Sequence, residues 1–172
     1  YFPTVTVDNT QLIFTKRSGT GYMDDEDLVI SHFKDDHWTE ATSISEKINT
    51  SFNEGACTIS ADGRTLIFTS CEEENSMGSC DLFISFKTGE SWSKPRNLGP
   101  TVNSIYWDSQ PSLSADGRVL YFSSNRPGGH GGRDLWMSKY EKDQWKRPVN
   151  AGARVNTSKD EVTPYLHFNN QT

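Results

Sequence analysis

Short apolar runs recur along the chain at regular intervals. Leu12-Ile13-Phe14, Leu66-Ile67-Phe68 and Leu120-Tyr121-Phe122 form one series. Leu28-Val29-Ile30, Leu82-Phe83-Ile84 and Leu135-Trp136-Met137 form a second. Each run is too short for a helix and too continuous for a strand with one wet face, so it predicts a strand covered on both sides. No stretch keeps helical periodicity over three turns.

The polar punctuation repeats with the same step. Ser60-Ala61-Asp62-Gly63-Arg64 returns 54 residues later as Ser114-Ala115-Asp116-Gly117-Arg118. One step earlier stand Asp8 and Asn9, and 53 residues after Asp116 stand Asn169 and Asn170. These residues predict tight turns, because one turn position needs a positive φ that Gly adopts freely and Asn tolerates. Asp27, Asp81 and Asp134 precede the second apolar series, and Trp38, Trp92 and Trp145 follow it. Pro95 and Pro148 come three residues after the last two Trp. Asn49, Asn103 and Asn156 come next, then Glu54, Asp108 and Glu161. The chain thus holds three units, 1–55, 56–109 and 110–161, and the first eleven residues of a fourth, 162–172.

Each unit reads as four strands. The first lies at 5–7, 58–60, 112–114 and 165–167, the second at 12–15, 66–69 and 120–123, the third at 28–31, 82–85 and 135–138. The fourth starts near the Trp and carries the Pro in units two and three. Pro cannot donate to a ladder, so this strand belongs at the rim. Repeated four-stranded antiparallel blades with both faces buried describe an all-β propeller. A β-sandwich is the rival, but it would not repeat its own sequence, and its strands would alternate. Propellers close with about four to eight blades, so an incomplete ring is expected. The missing blades come from the rest of a longer chain or from self-association. The abrupt opening at Tyr1 and the stop at Thr172 favour a fragment.

Composition narrows the function classes. The 12% of aromatic residues argues against disorder. The 17 basic residues do not cluster and are outnumbered by 23 acidic ones, which argues against a nucleic-acid partner. No apolar run is long enough to insert in a membrane, and no charged-then-apolar leader opens the chain. Three Cys are too few for a disulfide scaffold and too irregular for a zinc site. Nothing points to a cofactor.

The stretch Gln110-Pro111-Ser112-Leu113-Ser114-Ala115-Asp116-Gly117-Arg118-Val119-Leu120-Tyr121-Phe122-Ser123-Ser124-Asn125-Arg126, with Gly128-Gly129 and Asp134-Leu135-Trp136, resembles TolB-type, WD-repeat-like propeller repeats of bacterial envelope proteins. Val102-Asn103-Ser104 through Trp107-Asp108-Ser109-Gln110-Pro111 is similar to the propeller of the OmpA-family periplasmic lipoproteins of Bacteroidetes, a family linked to the type IX secretion system. The resemblance implies a periplasmic protein associated with the outer membrane, with other envelope or secretion-system proteins as partners. Unit one departs most, with Asp8-Asn9 in place of Asp-Gly and Ala41 in place of Pro95. No peptidoglycan-binding motif lies in the chain.

Several residues invite a functional reading. Asp27, Asp81 and Asp134 recur in every unit, as a folding group does and a catalytic one does not. Each suits a hairpin end, where a carboxylate accepts backbone N–H bonds. Asn49, Glu54, Asn103, Asp108, Asn156 and Glu161 sit in the connectors that run from the rim inward. They either form a polar ring that binds a partner loop or a cation, or tie the connector down. Trp107 and Tyr106 are the only exposed aromatic pair beside polar groups, so a carbohydrate- or muropeptide-binding propeller stands as an alternative to a scaffold. A glycosidase would need two carboxylates in different environments, whereas successive units repeat one environment. No Ser-His-Asp arrangement can be picked out, and a non-enzymatic role is expected.

Antiparallel order places the two-to-three loops and the connectors on one face. That face carries Asp24, Asp25, Glu26, Glu72, Glu73, Glu74 and Asp160, which suits a basic partner. The loop Asn125 to Arg133 is expected to be a flexible hairpin loop, not a phosphate cradle, because no helix begins there. The three Trp are expected to pack between blades. Cys71 and Cys80 map by the repeat step onto Arg17 and Glu26, and onto Asn125 and Arg133. The three pairs read as three clamps on one hairpin neck, so a disulfide is expected in unit two. Cys57 is left as a buried thiol.

Overall fold

The computed structural model describes residues 1–19 and 25–167. Those residues form strands, turns and connectors, with no helix. The first blade comprises β1 (Thr4–Val5), β2 (Gln11–Ser18), β3 (Asp25–Lys34), β4 (His37–Trp38) and β5 (Thr42–Ser43). The second comprises β6 (Asn53–Ile59), β7 (Thr65–Cys71), β8 (Cys80–Thr88), β9 (Ser91–Trp92) and β10 (Arg96–Asn97). The third comprises β11 (Asp108–Leu113), β12 (Val119–Ser124), β13 (Asp134–Glu141), β14 (Gln144–Trp145) and β15 (Val149–Asn150). All pairings within the blades are antiparallel.

The rim strand is split in two in every blade, not continuous. Both halves pair with the long third strand, as β9 and β10 do with β8. A serine holds the break: Ser31, Ser85 and Ser138 hydroxyls donate to the carbonyls of Thr39, Ser93 and Lys146 at 2.6, 2.8 and 2.5 Å. At the one-to-two turns, Ser60 and Ser114 hydroxyls donate to Asp62 and Asp116, which also accept the N–H of Arg64 and Arg118. These bonds, the hydroxyl foremost, hold both carboxyls below their usual range. Gly63 and Gly117 take φ of 68° and 69° there.

The innermost strands carry a feature that residue types do not announce. Phe2, Ala56, Gln110 and Thr163, one repeat step apart, all have positive φ, from 36° to 57°. At Ala56 and Gln110 the register with the second strand shifts, as at a β-bulge. The Ala56 and Gln110 N–H groups donate to Thr15 and Thr69 Oγ1 of the preceding blade, each at 3.1 Å.

Two apolar cores lie between successive blades. Trp92 is buried against the first blade. Trp145 is half-buried against the second. Trp38 departs from expectation: it is 41% exposed, since among the described residues no blade packs behind its sheet. The expected strand at 165–167 does not form either, because no second strand pairs with it among the described residues. The turn expected at Asn169 and Asn170 lies outside the described residues.

Candidate functional site

The connectors show why the repeat conserves its polar residues. Asn49 Oδ1 accepts the Leu28 N–H at 3.1 Å and its Nδ2 donates to the Leu28 carbonyl at 2.9 Å. Asn103 grips Leu82 and Asn156 grips Leu135 in the same way. A single amide thus fills both hydrogen-bonding groups of one third-strand residue.

The carboxylates close the connector on itself. Glu54 accepts the N–H and hydroxyl of Thr50, each at 2.7 Å. Asp108 accepts both groups of Ser104, and Glu161 both groups of Thr157. The hydroxyl partners Thr50, Ser104 and Thr157 escaped the sequence reading. Their signal was the Asn-Thr or Asn-Ser dipeptide at every repeat step. Glu54, Asn103, Asp108 and Asn156 are 1%, 3%, 0% and 2% exposed, so they are not a rim offered to a partner. They turn inward because an unpaired connector backbone would cost more than their burial. Of the expected rim, Trp107 and Glu161 keep contact with solvent.

The two blade junctions differ electrostatically. Asp108 pairs with Arg126 at 2.5 Å, and Arg126 also donates to the Val102 carbonyl and lies 4.9 Å from the Phe122 ring. One unit earlier the Arg126 position is Glu72, so Glu54 has no such cation. Burial pushes the Glu54 carboxyl up to about 7, against the pull of its Thr50 and Ser70 bonds.

Asp81 and Asp134 lie at their hairpin ends, whereas Asp27 pairs with Lys16 inside the β2–β3 ladder, which runs on to Ser18 and Asp25. Asp81 accepts the N–H groups of Met77 and Gly78, and Asp134 those of His130 and Gly131. Burial raises the Asp27 carboxyl, with Asp25 adding to it. The glycine-rich loop is not free, as its composition had suggested. Gly78 and Gly131, one step apart, lie so close to the Tyr106 and Lys159 carbonyls that a Cβ would collide with them. These glycines seal the two-to-three loops of the second and third blades onto the neighbouring connectors.

Cys71 and Cys80 are register partners joined by a disulfide, and Arg17 faces Glu26 in the first blade. Asn125 and Arg133 do not clamp each other; both turn to Trp107. Asn125 Oδ1 accepts the Trp107 N–H at 2.9 Å, and the Arg133 guanidinium lies 4.6 Å from the indole centroid. Trp107 also forms a parallel bridge with Cys80. Cys57 is buried and unbridged, and burial raises its thiol to about 12. On the same face Ile105 is 71% exposed and Tyr106 40%, next to exposed Met77. Glu72 and Glu74 are exposed nearby, whereas Asp24 lies outside the described residues.

The inner wall forms a groove of about 600 Å³ lined by Thr4, Thr58, Gln110, Ser112, Tyr165 and His167, among others. Among the described residues no cluster of three His, Cys, Asp or Glu could hold a metal ion, and no helix is long and apolar enough to cross a membrane.

No family model and no curated protein matches the chain. Solved structures do match in shape. TolB from Acinetobacter baumannii superposes with a TM-score of 0.65 at 13% identity, over 99% of this chain and 35% of that one. A protein assigned as TolB from Agrobacterium tumefaciens gives 0.54 at 14% identity, over 83% and 43%. A puromycin-hydrolyzing peptidase from Mycobacterium tuberculosis gives 0.58 at 12% identity, over 88% and 23%. The chain spans less than half the length of each. Identities this low speak to architecture alone, and on that the shape and the repeat agree: the chain is a partial β-propeller.

Proposed function

We propose that this chain is a non-enzymatic propeller scaffold of the bacterial periplasm, binding a partner protein through its loop-and-connector face. The observation that carries the reading is the exposed Ile105-Tyr106 pair. The equivalent connector residues are Ser51-Phe52 and Ser158-Lys159, so the fold does not demand two large apolar side chains there. The pair is presented on a stiff support: Gly78 seals against Tyr106, and Trp107 is held by Asn125, Arg133 and Cys80. Exposed aromatic and apolar residues on a rigid base, with an arginine alongside, are the usual make-up of a binding hot spot. Glu72 and Glu74 favour a partner with basic residues flanking its apolar anchor. The resemblance to envelope and type IX secretion proteins supports a partner from that machinery and a parent protein at the outer membrane. Against an enzymatic role stands the use of the repeated carboxylates in holding connectors.

Photo-crosslinking from position 105, compared with position 142 on the opposite face, tests this in periplasm-competent cells. Discrete protein adducts from 105, absent from 142 and lost with Tyr106→Ala, are expected. Equal labelling at both positions would sink the idea. Saturable binding to a sugar array, lost in Trp107→Ala, would favour the carbohydrate reading instead.

A further inference from the structure

Buried polar groups in a folded chain almost always find a partner, so a place where several do not is informative. Among the described residues the buried side-chain atoms without one are Ser76 Oγ, Asp134 Oδ1, Trp136 Nε1 and Asn150 Nδ2. Three belong to the third blade. Ser76 marks the same place in the second, because the repeat step carries it onto Gly129. The three third-blade groups share one face of β13. Asp134 and Trp136, 1% and 7% exposed, are two residues apart on that strand, so their side chains leave it on the same side. Asn150 on β15 is the register partner of Trp136. The glycine-rich loop lies over both: a Cβ on Gly128 would stand 3.9 Å from the Trp136 ring, and one on Gly129 would collide with the Asp134 carboxylate.

The second blade shows how closely these positions approach. There Asn97 Nδ2 donates to Asp81 Oδ2 at 2.7 Å and to the Asn75 carbonyl at 3.2 Å. Asn150 makes neither bond with its Nδ2, although its Oδ1 accepts from Gly152 and Asn156 just as that of Asn97 does from Gly99 and Asn103. Asp134 spends Oδ2 on the His130 and Gly131 N–H groups and leaves Oδ1 unpaired. The residue that differs between the two sites is the aromatic one: Phe83 in the second blade, Trp136 in the third. The indole is larger and brings an N–H of its own to this face.

We propose that Asp134, Trp136 and Asn150 form a binding site for one buried water molecule, which is an integral part of the third blade. The water accepts the N–H groups of Trp136 Nε1 and Asn150 Nδ2 and donates to Asp134 Oδ1. The partners select the ligand. Two N–H donors disfavour a cation, the carboxylate disfavours an anion, and three polar partners are what a buried water makes. The water does in the third blade what Asn97 does directly in the second: it ties the outer rim strand to the aspartate that holds the two-to-three loop. In the third blade that loop is bounded by Asn125 and Arg133, the two residues that hold Trp107.

Crystal structures of the whole chain and of Trp136→Phe test the proposal. The wild type is expected to show one ordered water within about 3.2 Å of Trp136 Nε1, Asn150 Nδ2 and Asp134 Oδ1. Trp136→Phe installs the residue the second blade uses. It is expected to lose the water and to bring Asn150 Nδ2 directly onto Asp134, as Asn97 meets Asp81. In solution the Trp136 indole proton is expected to give cross-peaks with water of opposite sign in nuclear Overhauser and rotating-frame spectra, the mark of a long-lived bound water. The two wild-type measurements decide the matter by themselves if the variant does not fold. A direct bond from Trp136 Nε1 to Asp134 with no water between them would overturn the proposal. So would an indole proton without the water cross-peak, or a water that keeps its place in Trp136→Phe.

Discussion

Thr69 holds the third blade to the second through a single atom: its Oγ1 accepts the backbone N–H of Gln110 at 3.1 Å. Thr15 does the same for Ala56 across the preceding junction. In each case the donor lies at a bulge with positive φ, where the sheet ladder offers it no partner. Thr69→Val keeps the shape and removes the acceptor. Urea melts are expected to show a loss of about 1–3 kcal/mol, the cost of leaving the Gln110 N–H and the buried Ser109 hydroxyl without their Thr69 partner. A loss near zero would mean that water replaces the threonine.

The three repeated tryptophans are expected to differ sharply in energy. Trp92 is 5% exposed between two blades, so Trp92→Ala should cost about 3–5 kcal/mol. Trp38 is 41% exposed, so Trp38→Ala should cost less than about 1 kcal/mol in the monomer. Parallel denaturant melts at low protein concentration check the ratio.

Glu54 sets a pH dependence. Its folded carboxyl is raised from 4.5 to about 7, chiefly by burial, so the folded chain binds the extra proton. The contribution is complete below about pH 4.5 and is lost as the pH rises to about 7. At roughly 1.4 kcal/mol per pKa unit, the loss is about 3 kcal/mol. Glu54→Gln keeps an acceptor for the Thr50 N–H and abolishes the titration. Melts from pH 4.5 to 8 are expected to slope downward in the wild type and to flatten in the variant.

The disulfide closes a short loop, since Cys71 and Cys80 are nine residues apart. The chain-entropy model gives it about 2–3 kcal/mol. Alkylation before reduction is expected to modify Cys57 alone, and only after unfolding, because that thiol is buried. Three modified cysteines would refute the bridge. Cys71→Ser is expected to lower stability by the stated amount.

The blade architecture was legible from the repeat, because a step of 54 residues aligns turns, apolar runs and tryptophans at once. The same alignment set Cys71 opposite Cys80. The role of Asn103 and Asn156 was not legible, since a polar residue in a connector reads equally as a clamp or as a binding group. The bulge at Ala56 and Gln110 left no trace in residue type, because Phe2 and Thr163 occupy the same conformation. Nor does the short range of a sequence motif reveal that Arg133, Asn125 and Cys80 meet on Trp107.

The period, the strands and the order from inner wall to rim follow from local chemistry, because turn residues, apolar runs and prolines act over a few neighbours along the chain. Which of those equal positions has a neighbour depends on packing between blades. Trp38, Trp92 and Trp145 are the same residue in the same place in the repeat, yet one faces solvent and one is buried. Glu54 and Asp108 are likewise equivalent, but only Asp108 is met by an arginine. Burial and charge pairing belong to the junction between blades, and a repeat describes a blade, not what stands beside it.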